Sequence, residues 1–119
     1  MKCELVSVGT EILLGDILNS NAQYLSKELA SLGIGVTHQC TIGDNRERLL
    51  SAIDLAFSRC EMIIFTGGLG PTPDDLTKEV CSEYFGRNLS MDEEIAKGTE
   101  SYFKDRNRPM PESNRKQAL

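Results

Sequence analysis

Residues Thr66 to Thr77 read TGGLGPTPDDLT, and their types are suited to holding a phosphate group. The three glycines of this loop have no Cβ, so they adopt positive φ angles at low cost and let a ligand approach the main chain. A glycine loop between a strand and a helix leaves backbone N–H groups free to bind an anion. Two carboxylates, Asp74 and Asp75, follow on the far side of the loop. The stretch therefore predicts a phosphate-bearing ligand, with an aspartate that contacts a hydroxyl group or a metal ion.

Two further glycine–acid pairs follow predicted strands. Gly9-Thr10-Glu11 comes after the first strand, and Gly43-Asp44 comes after the second. In an open parallel sheet, ligands bind outside the carboxyl ends of the strands. We therefore expect both segments to converge on the glycine loop at one edge of the sheet.

Each of these acids also has a structural explanation. Asp44 begins a D-x-x-E pattern with Glu47 that is typical of a helix capping box, so it either caps a helix or contacts the ligand. Glu11 is either a site residue or a solvated loop residue. Asp74 lies at the approach to a helix, and Asp75 is close enough to the start of that helix to cap it.

Hydrophobic patterning predicts strands at Glu4–Gly9, Ile34–Ile42 and Glu61–Thr66. The third is apolar after its first residue, which is typical of a central strand covered on both faces. Residues 10–18 are predicted as a loop. Strands that alternate with helices indicate an α/β domain with a parallel sheet and helices on both faces.

Four helices are predicted from apolar residues spaced three and four apart. The first begins at Asn19 or Ser20 and ends at Gly33, and the third ends at Gly86. Capping boxes at Asp44 and at Ser90 predict the starts of the second and fourth. The predicted inner faces of the four helices carry Ala22, Leu25, Leu29 and Leu32; Leu49, Leu50, Ile53 and Phe57; Leu76, Val80 and Tyr84; and Ile95, Thr99, Tyr102 and Phe103.

The composition excludes several classes of function. The net charge of −5 over 119 residues argues against a broad electrostatic surface for nucleic acid. No stretch approaches the roughly 20 apolar residues that span a bilayer, and the first residues do not form a signal peptide, so a cytoplasmic protein is expected.

The sequence also lacks the motifs of several common sites. The single His38 and the four cysteines have no metal-finger spacing, so structural roles are expected for them; the cysteines are Cys3, Cys40, Cys60 and Cys81. The P-loop, the GxGxxG fingerprint and the GxSxG nucleophile elbow are absent.

The glycine loop resembles the signature of the MoaB/Mog molybdopterin-binding superfamily, in which an Asp-hydrophobe-Thr segment follows the glycines. Asp75-Leu76-Thr77 matches that segment. The chain is also similar to the N-terminal domain of the CinA family of competence/damage-inducible proteins. That similarity is carried by the loop together with VGTEILLG at residues 8–15, NAQYL at 21–25, GDN at 43–45 and NRKQA at 114–118.

The resemblance implies a three-layer α/β/α domain with a mostly parallel sheet that binds a nucleotide or pterin phosphate. In molybdopterin-handling relatives, the aspartates matching Asp44 and Asp75 serve the site, so these two are expected to be catalytic residues and metal ligands. In CinA proteins this domain is associated with metal-dependent ADP-ribose pyrophosphatase activity, and a separate C-terminal domain deamidates nicotinamide mononucleotide. Because the sequence stops at Leu119, residues 1–119 are expected to form a C-terminally incomplete MoaB/Mog-like domain without the amidase domain. The relatives also imply a homo-oligomer.

Three functions follow as hypotheses. The first is hydrolysis of ADP-ribose or a related nucleotide diphosphate with a divalent metal ion held by Asp75 together with Asp44 or Glu11. The second is a molybdopterin-binding or adenylyl-transferring domain of molybdenum cofactor biosynthesis, and the third is a non-catalytic ligand-binding module. Under each, the partner is a small nucleotide or pterin phosphate rather than a nucleic acid or a membrane. The residues predicted to contact it are Gly9, Thr10, Glu11, Thr66, Gly67, Gly68, Leu69, Gly70, Asp74 and Thr77, beside Asp44 and Asp75.

Overall fold

The computed structural model describes all residues from Met1 to Leu119. Three strands alternate with helices in the first two thirds of the chain, and two further helical segments follow. In chain order the elements are β1 (Lys2–Val8), α1 (Thr10–Leu13), α2 (Ser20–Ser31), β2 (Gly35–Ile42), α3 (Arg46–Phe57), β3 (Met62–Thr66), α4 (Thr77–Phe85), α5 (Glu93–Asp105) and a 3-10 helix (Glu112–Ala118).

The sheet is parallel, with strand order β2-β1-β3. The predicted strands and their parallel arrangement are confirmed, but the prediction that the third strand is central is wrong. The middle position belongs to β1, which is buried from Cys3 to Val8, whereas β3 lies at an edge and is half-buried throughout. An apolar sequence therefore marks β3 as a packed strand without giving its place in the sheet.

Helices cover both faces of the sheet, which confirms the α/β/α layers. Alternate residues of β1 point to opposite faces, as strand geometry requires. Cys3 and Leu5 pack with Ala22 and Leu29 of α2 on one face. The other face holds a second cluster, formed by Val6, Val8, Leu49, Ile53 and Val80.

Two helix starts differ from the prediction by one or two residues. Asn19 caps α2 as expected, accepting the backbone N–H of Ala22. However, α3 is capped by Asn45 rather than Asp44, and α5 is capped by Asp92 rather than Ser90. A short helix, α1, also occupies part of the segment predicted as a loop.

The inner faces are confirmed most clearly where helices pack on the sheet. Leu49, Ile53 and Val80 are buried, but Leu32 is 73% exposed at the end of α2. On α5 the buried residue is Ala96, whereas Ile95 and Tyr102 are each 52% exposed, so the predicted inner face of this helix is wrong in part. The reason is that α5 packs on the 3-10 helix and not on the sheet.

One charged side chain lies in the core. Glu4 of β1 is 2% exposed, and its carboxylate accepts hydrogen bonds from Arg59 at 2.5 and 3.3 Å. His38 lies beside it, with Nδ1 3.3 Å from Glu4 Oε1, which gives the single histidine a structural contact. The four cysteines are free thiols. None of the helices is long and apolar enough to span a membrane.

Candidate functional site

The carboxyl ends of the three strands meet at one edge of the sheet. Val8 pairs with Ile42, and Ser7 pairs with Thr66, so the three strands end at the same level. Gly9 continues the ladder by donating its N–H to Ile42 O at 2.9 Å. The segments predicted to converge therefore do begin at a common edge.

Thr10 and Asp44 link the ends of β1 and β2. The Thr10 hydroxyl donates to Asp44 Oδ2 at 3.1 Å and accepts the Asp44 N–H at 3.2 Å. This contact explains why Asp44 does not cap α3: its carboxylate is directed toward Thr10, and the neighbouring Asn45 accepts the Arg48 N–H instead. Both Thr10 and Asp44 are exposed, so their polar groups are accessible to a ligand.

The glycine loop is wedged against the end of β1. Gly67 and Gly68 have φ angles of +83° and +66°, which L side chains rarely adopt. A Cβ on Gly67 would collide with the carbonyl oxygen of Val8, and one on Gly68 would collide with the hydroxyl of Thr77. These two positions therefore require glycine for both conformation and space.

Thr77 fixes the start of the same loop. Its side chain is 3% exposed, and the hydroxyl donates to Gly67 O at 2.8 Å while its N–H donates to Gly68 O at 3.2 Å. Thr77, which was predicted to contact the ligand, thus braces the loop in the structure. Its direct contact with a ligand stays a prediction.

Asp75 braces the second half of the loop. Its Oδ2 accepts the N–H of Thr72 at 3.0 Å and the Thr72 hydroxyl at 2.7 Å. A Cβ on Gly70 would stand 2.7 Å from the same oxygen, so the loop closes tightly over this carboxylate. The alternative that Asp75 caps α4 is wrong, because Leu76 occupies the cap position and no side chain bonds the helix start.

Hydrogen bonding keeps Asp75 charged. The Thr72 hydroxyl holds the pKa of its carboxyl below the ordinary value, and the Thr72 and Gly70 backbone and the charge of Lys116 act in the same direction. Partial burial opposes the shift but does not cancel it. The site therefore presents an ionised carboxylate near neutral pH.

The remaining predicted site residues lie around these contacts. Glu11, Leu69 and Asp74 are exposed, and Thr66 is half-buried at the end of β3. The Glu11 carboxylate lies over Gly9, with Oε1 3.1 Å from the position that a Cβ would take there. Thus Glu11 is near the end of β1, as predicted, while its role stays a prediction.

The edge does not form a closed pocket or a preformed metal cage. None of the five cavities on the surface is lined by the predicted site residues, and the largest, about 890 Å³, lies between α5 and the 3-10 helix. No group of three or more histidine, cysteine, aspartate or glutamate side chains is placed to hold a metal ion. A cation here would have at most two protein carboxylates and would depend on water and ligand oxygens.

Residues 4–113 match the family model described as a probable molybdopterin binding domain. The chain belongs to this family. The match extends from β1 through the glycine loop to the end of α5. The resemblance to the MoaB/Mog superfamily, which was carried by the loop, is therefore confirmed over nearly the whole chain.

Relatives within the molybdopterin-binding domain family carry CinA-type names. The chain is 57% identical over 117 residues to a putative competence-damage inducible protein from Clostridium perfringens, covering 98% of the chain and 28% of that relative. It is 57% identical over 118 residues to a CinA-like protein from Dictyoglomus thermophilum, covering 99% of the chain and 29% of that protein. The chain therefore spans less than a third of the length of these curated relatives.

Solved structures of the family share the fold. The CinA protein from Thermoplasma acidophilum superposes with a TM-score of 0.84 at 27% identity, covering 99% of this chain and 69% of that one. MoaB from Pyrococcus furiosus, described as a tungsten cofactor synthesizing protein, gives a TM-score of 0.65 at 21% identity, with 89% and 61% covered. This second likeness shows the fold alone.

Two residues that organise the family's glycine loop here were not singled out from the sequence. Thr72 anchors the Asp75 carboxylate, and Lys116 donates from the 3-10 helix to the main chain of the loop. The Thr72 contact lies within a four-residue turn, and a threonine three positions before an aspartate was the signal in the sequence. Lys116 lies in the NRKQA segment that carries the CinA similarity, but nothing in the sequence indicated its partners, because they are distant in the chain.

Proposed function

We propose that this domain binds the diphosphate of a nucleotide such as ADP-ribose at the strand-end edge and hydrolyses it with a divalent cation. The observation that carries the proposal is the pairing of a glycine main-chain surface with two carboxylates, each fixed by a threonine. Gly67 and Gly68 bring backbone to the end of β1, while Thr10 holds Asp44 and Thr72 holds Asp75. Anion-binding main chain beside fixed acids is suited to a phosphate that carries a metal ion.

The loop residues would bind and orient the phosphate. Backbone N–H groups of the glycine segment bind an oxyanion without a cationic side chain, which fits a chain with a net charge of −5. Because Thr77 bonds both Gly67 and Gly68, the loop is braced before a ligand arrives. Such preorganisation lowers the cost of ordering the site on binding.

Asp44 and Asp75 would hold the cation. The threonine hydroxyl bonds of both aspartates end on Oδ2, so Oδ1 of each lies outside those bonds. Two carboxylates with substrate oxygens and water fit Mg²⁺, which is usually bound by one or two carboxylates and keeps several waters. When bound, such an ion polarises a phosphoryl oxygen and lowers the pKa of bound water.

The test is release of AMP from ADP-ribose in the presence of Mg²⁺ or another divalent ion. Asp75→Asn keeps the size of the side chain and removes its charge, so we expect AMP release to fall at least about tenfold. Asp105→Asn, at an exposed position at the end of α5, makes the same charge change away from the loop and serves as the control. Unchanged AMP release by Asp75→Asn would remove this aspartate from the proposed role.

Binding of molybdopterin is the second candidate, and the family match over residues 4–113 favours it. It predicts tight binding of molybdopterin at the same loop and no AMP release with any metal ion. The open edge, with no cavity around it, also suits binding without turnover, because catalysis of hydrolysis gains from exclusion of water. In that case ADP-ribose or molybdopterin would raise the Tm without being consumed.

A further inference from the structure

The ammonium group of Lys116 sits in a cradle of oxygens from the glycine loop and α4. Its Nζ donates to Thr72 O at 2.7 Å and to Asp75 O, and it lies 3.4 Å from Glu79 Oε1. The side chain is 20% exposed, so these contacts are partly shielded from water. Lys116 belongs to the 3-10 helix, so it contacts the loop from a different and distant segment of the chain.

We propose that Lys116 is a positioning residue for the ligand loop, acting as a tethered cation that fixes the turn from Thr72 to Asp75. The two carbonyls that it binds lie at the two ends of this turn, which is closed by the Asp75 N–H donating to Thr72 O at 3.1 Å. Fixing both ends also fixes the bond between the Thr72 hydroxyl and the Asp75 carboxylate. The inference depends on the proposed function only in taking this loop as the ligand site.

Lys116 acts on the loop and does not contact the ligand in this arrangement. Its ammonium group donates two hydrogen bonds to main-chain carbonyls and is paired with the Glu79 carboxylate, so its charge is already compensated. Hydrogen bonds from a charged donor are stronger than neutral ones, so this contact is suited to holding main chain in place. A phosphate contact would require Lys116 to leave oxygens that already compensate its charge.

The 3-10 helix that carries Lys116 is itself held in place. Lys78 of α4 donates to Lys116 O at 2.8 Å and to Leu119 O at 3.0 Å. The Asp92 N–H at the start of α5 donates to Ala118 O at 2.8 Å. The cation is thus anchored through its backbone to two helices, and through its side chain to the loop.

Lys97 of α5 provides a control for a test of this role. Lys116→Met and Lys97→Met each remove one ammonium group by the same change of side chain. Lys116 contacts the loop, whereas Lys97 is exposed on α5. Lys116→Arg restores a cation and tests whether the charge, rather than packing, is required.

The measurement is amide hydrogen exchange of the chain without ligand. We expect exchange at the Thr72 and Asp75 amides to become about tenfold faster in Lys116→Met, and to stay near wild type in Lys97→Met and Lys116→Arg. The Val80 amide, which donates to Leu76 O within α4, reports whether the rest of the fold is intact. If Lys116→Met does not fold, Lys116→Gln carries the same comparison.

Two results would overturn the proposal. One is equal exchange at Thr72 and Asp75 in Lys116→Met and Lys97→Met, and the other is failure of Lys116→Arg to restore slow exchange. Because exchange is measured without ligand, a wild-type chain that releases no AMP leaves the result on Lys116 standing. With ADP-ribose and Mg²⁺ present, a wild-type chain that does turn over should show a raised KM in Lys116→Met.

Discussion

Thr10 and Asp44 form a reciprocal pair, in which one hydroxyl donates to the Asp44 carboxylate and accepts the Asp44 N–H. The two residues are 34 positions apart and follow neighbouring strands. The pair therefore fixes the Asp44 carboxylate at the edge of the sheet through a contact that is not part of the strand or helix hydrogen bonding. This makes the pair a direct test of whether the edge is a ligand site.

Thr10→Val removes both hydrogen bonds and keeps the shape of the side chain. Since both residues are exposed, water compensates much of the loss, and the free energy of unfolding should fall by no more than about 1 kcal/mol. Affinity for ADP-ribose with Mg²⁺, measured by calorimetry, should fall about three- to tenfold because Asp44 is no longer fixed. Thr10→Ser retains the hydroxyl and should bind like wild type; equal affinity in all three proteins would contradict a role for the pair in binding.

Thr77→Val should destabilise the fold as well as the loop. The Thr77 hydroxyl is buried, and its loss leaves the Gly67 carbonyl without this donor. We expect the free energy of unfolding, measured in urea, to fall by about 1–3 kcal/mol. Thr77→Ser keeps the hydroxyl and should lose less. A valine variant as stable as wild type would show that water replaces the donor.

Comparing Gly67→Ala with Gly15→Ala separates the cost of a left-handed backbone conformation from the cost of a steric collision. Their φ angles are almost equal, at +83° and +82°, but a Cβ on Gly15 meets nothing within 4 Å. Gly15→Ala should therefore cost only the conformational term of about 1–2 kcal/mol. Gly67→Ala adds the collision with Val8 O and should cost about 1–3 kcal/mol more. Equal urea midpoints for the two variants would mean that the loop moves away from β1 at little cost.

The stability contributed by Asp75 should depend on pH. Its folded-state pKa is depressed, chiefly by the Thr72 hydroxyl, so the contribution is present above the unfolded-state pKa and is lost as pH falls through the lower folded-state value. Comparing wild type with Asp75→Asn in EDTA should therefore show a stability difference near pH 7 that narrows toward pH 3. A difference independent of pH over this range would show that the charge of Asp75 is not what braces the loop.

The burial of Glu4 in β1 predicts which of two arginine variants is the less stable. Arg59→Met leaves Glu4 without its guanidinium partner at a position that is 2% exposed. Arg46→Met removes a pair with Glu83 in which both side chains are nearly half exposed, at 47% and 46%. Desolvation makes an unpaired buried charge costly, whereas exposed pairs contribute little. Arg59→Met should thus have the lower urea midpoint, and the reverse order would contradict the burial of Glu4.

Local features of the chain were predictable because their causes are local. Asn19 is a cap residue directly before an amphipathic helix, and Gly86 ends α4 with a left-handed φ of 61°. The parallel α/β arrangement followed from strands that alternate with helices of sufficient length. The glycine loop was found for the same reason, since its sequence determines its backbone.

The errors arose where another hydrogen-bond partner decided between local alternatives. Asp44 and Asn45 are both good cap residues, and the Thr10 hydroxyl draws Asp44 away, so Asn45 caps α3. In the same way, Asp75 accepts from Thr72 within the loop and leaves the start of α4 uncapped. Apolar content alone also did not distinguish the edge position of β3 from the central position of β1.

The contact from Lys116 to the loop has a consequence for synthesis. Lys116 lies 44 residues beyond Thr72 in the chain, and the whole of α4 and α5 separates them. A ribosome therefore releases all three strands and the glycine loop well before it releases the lysine that holds the loop. During that interval the turn that carries Asp75 lacks the cation that binds both of its ends.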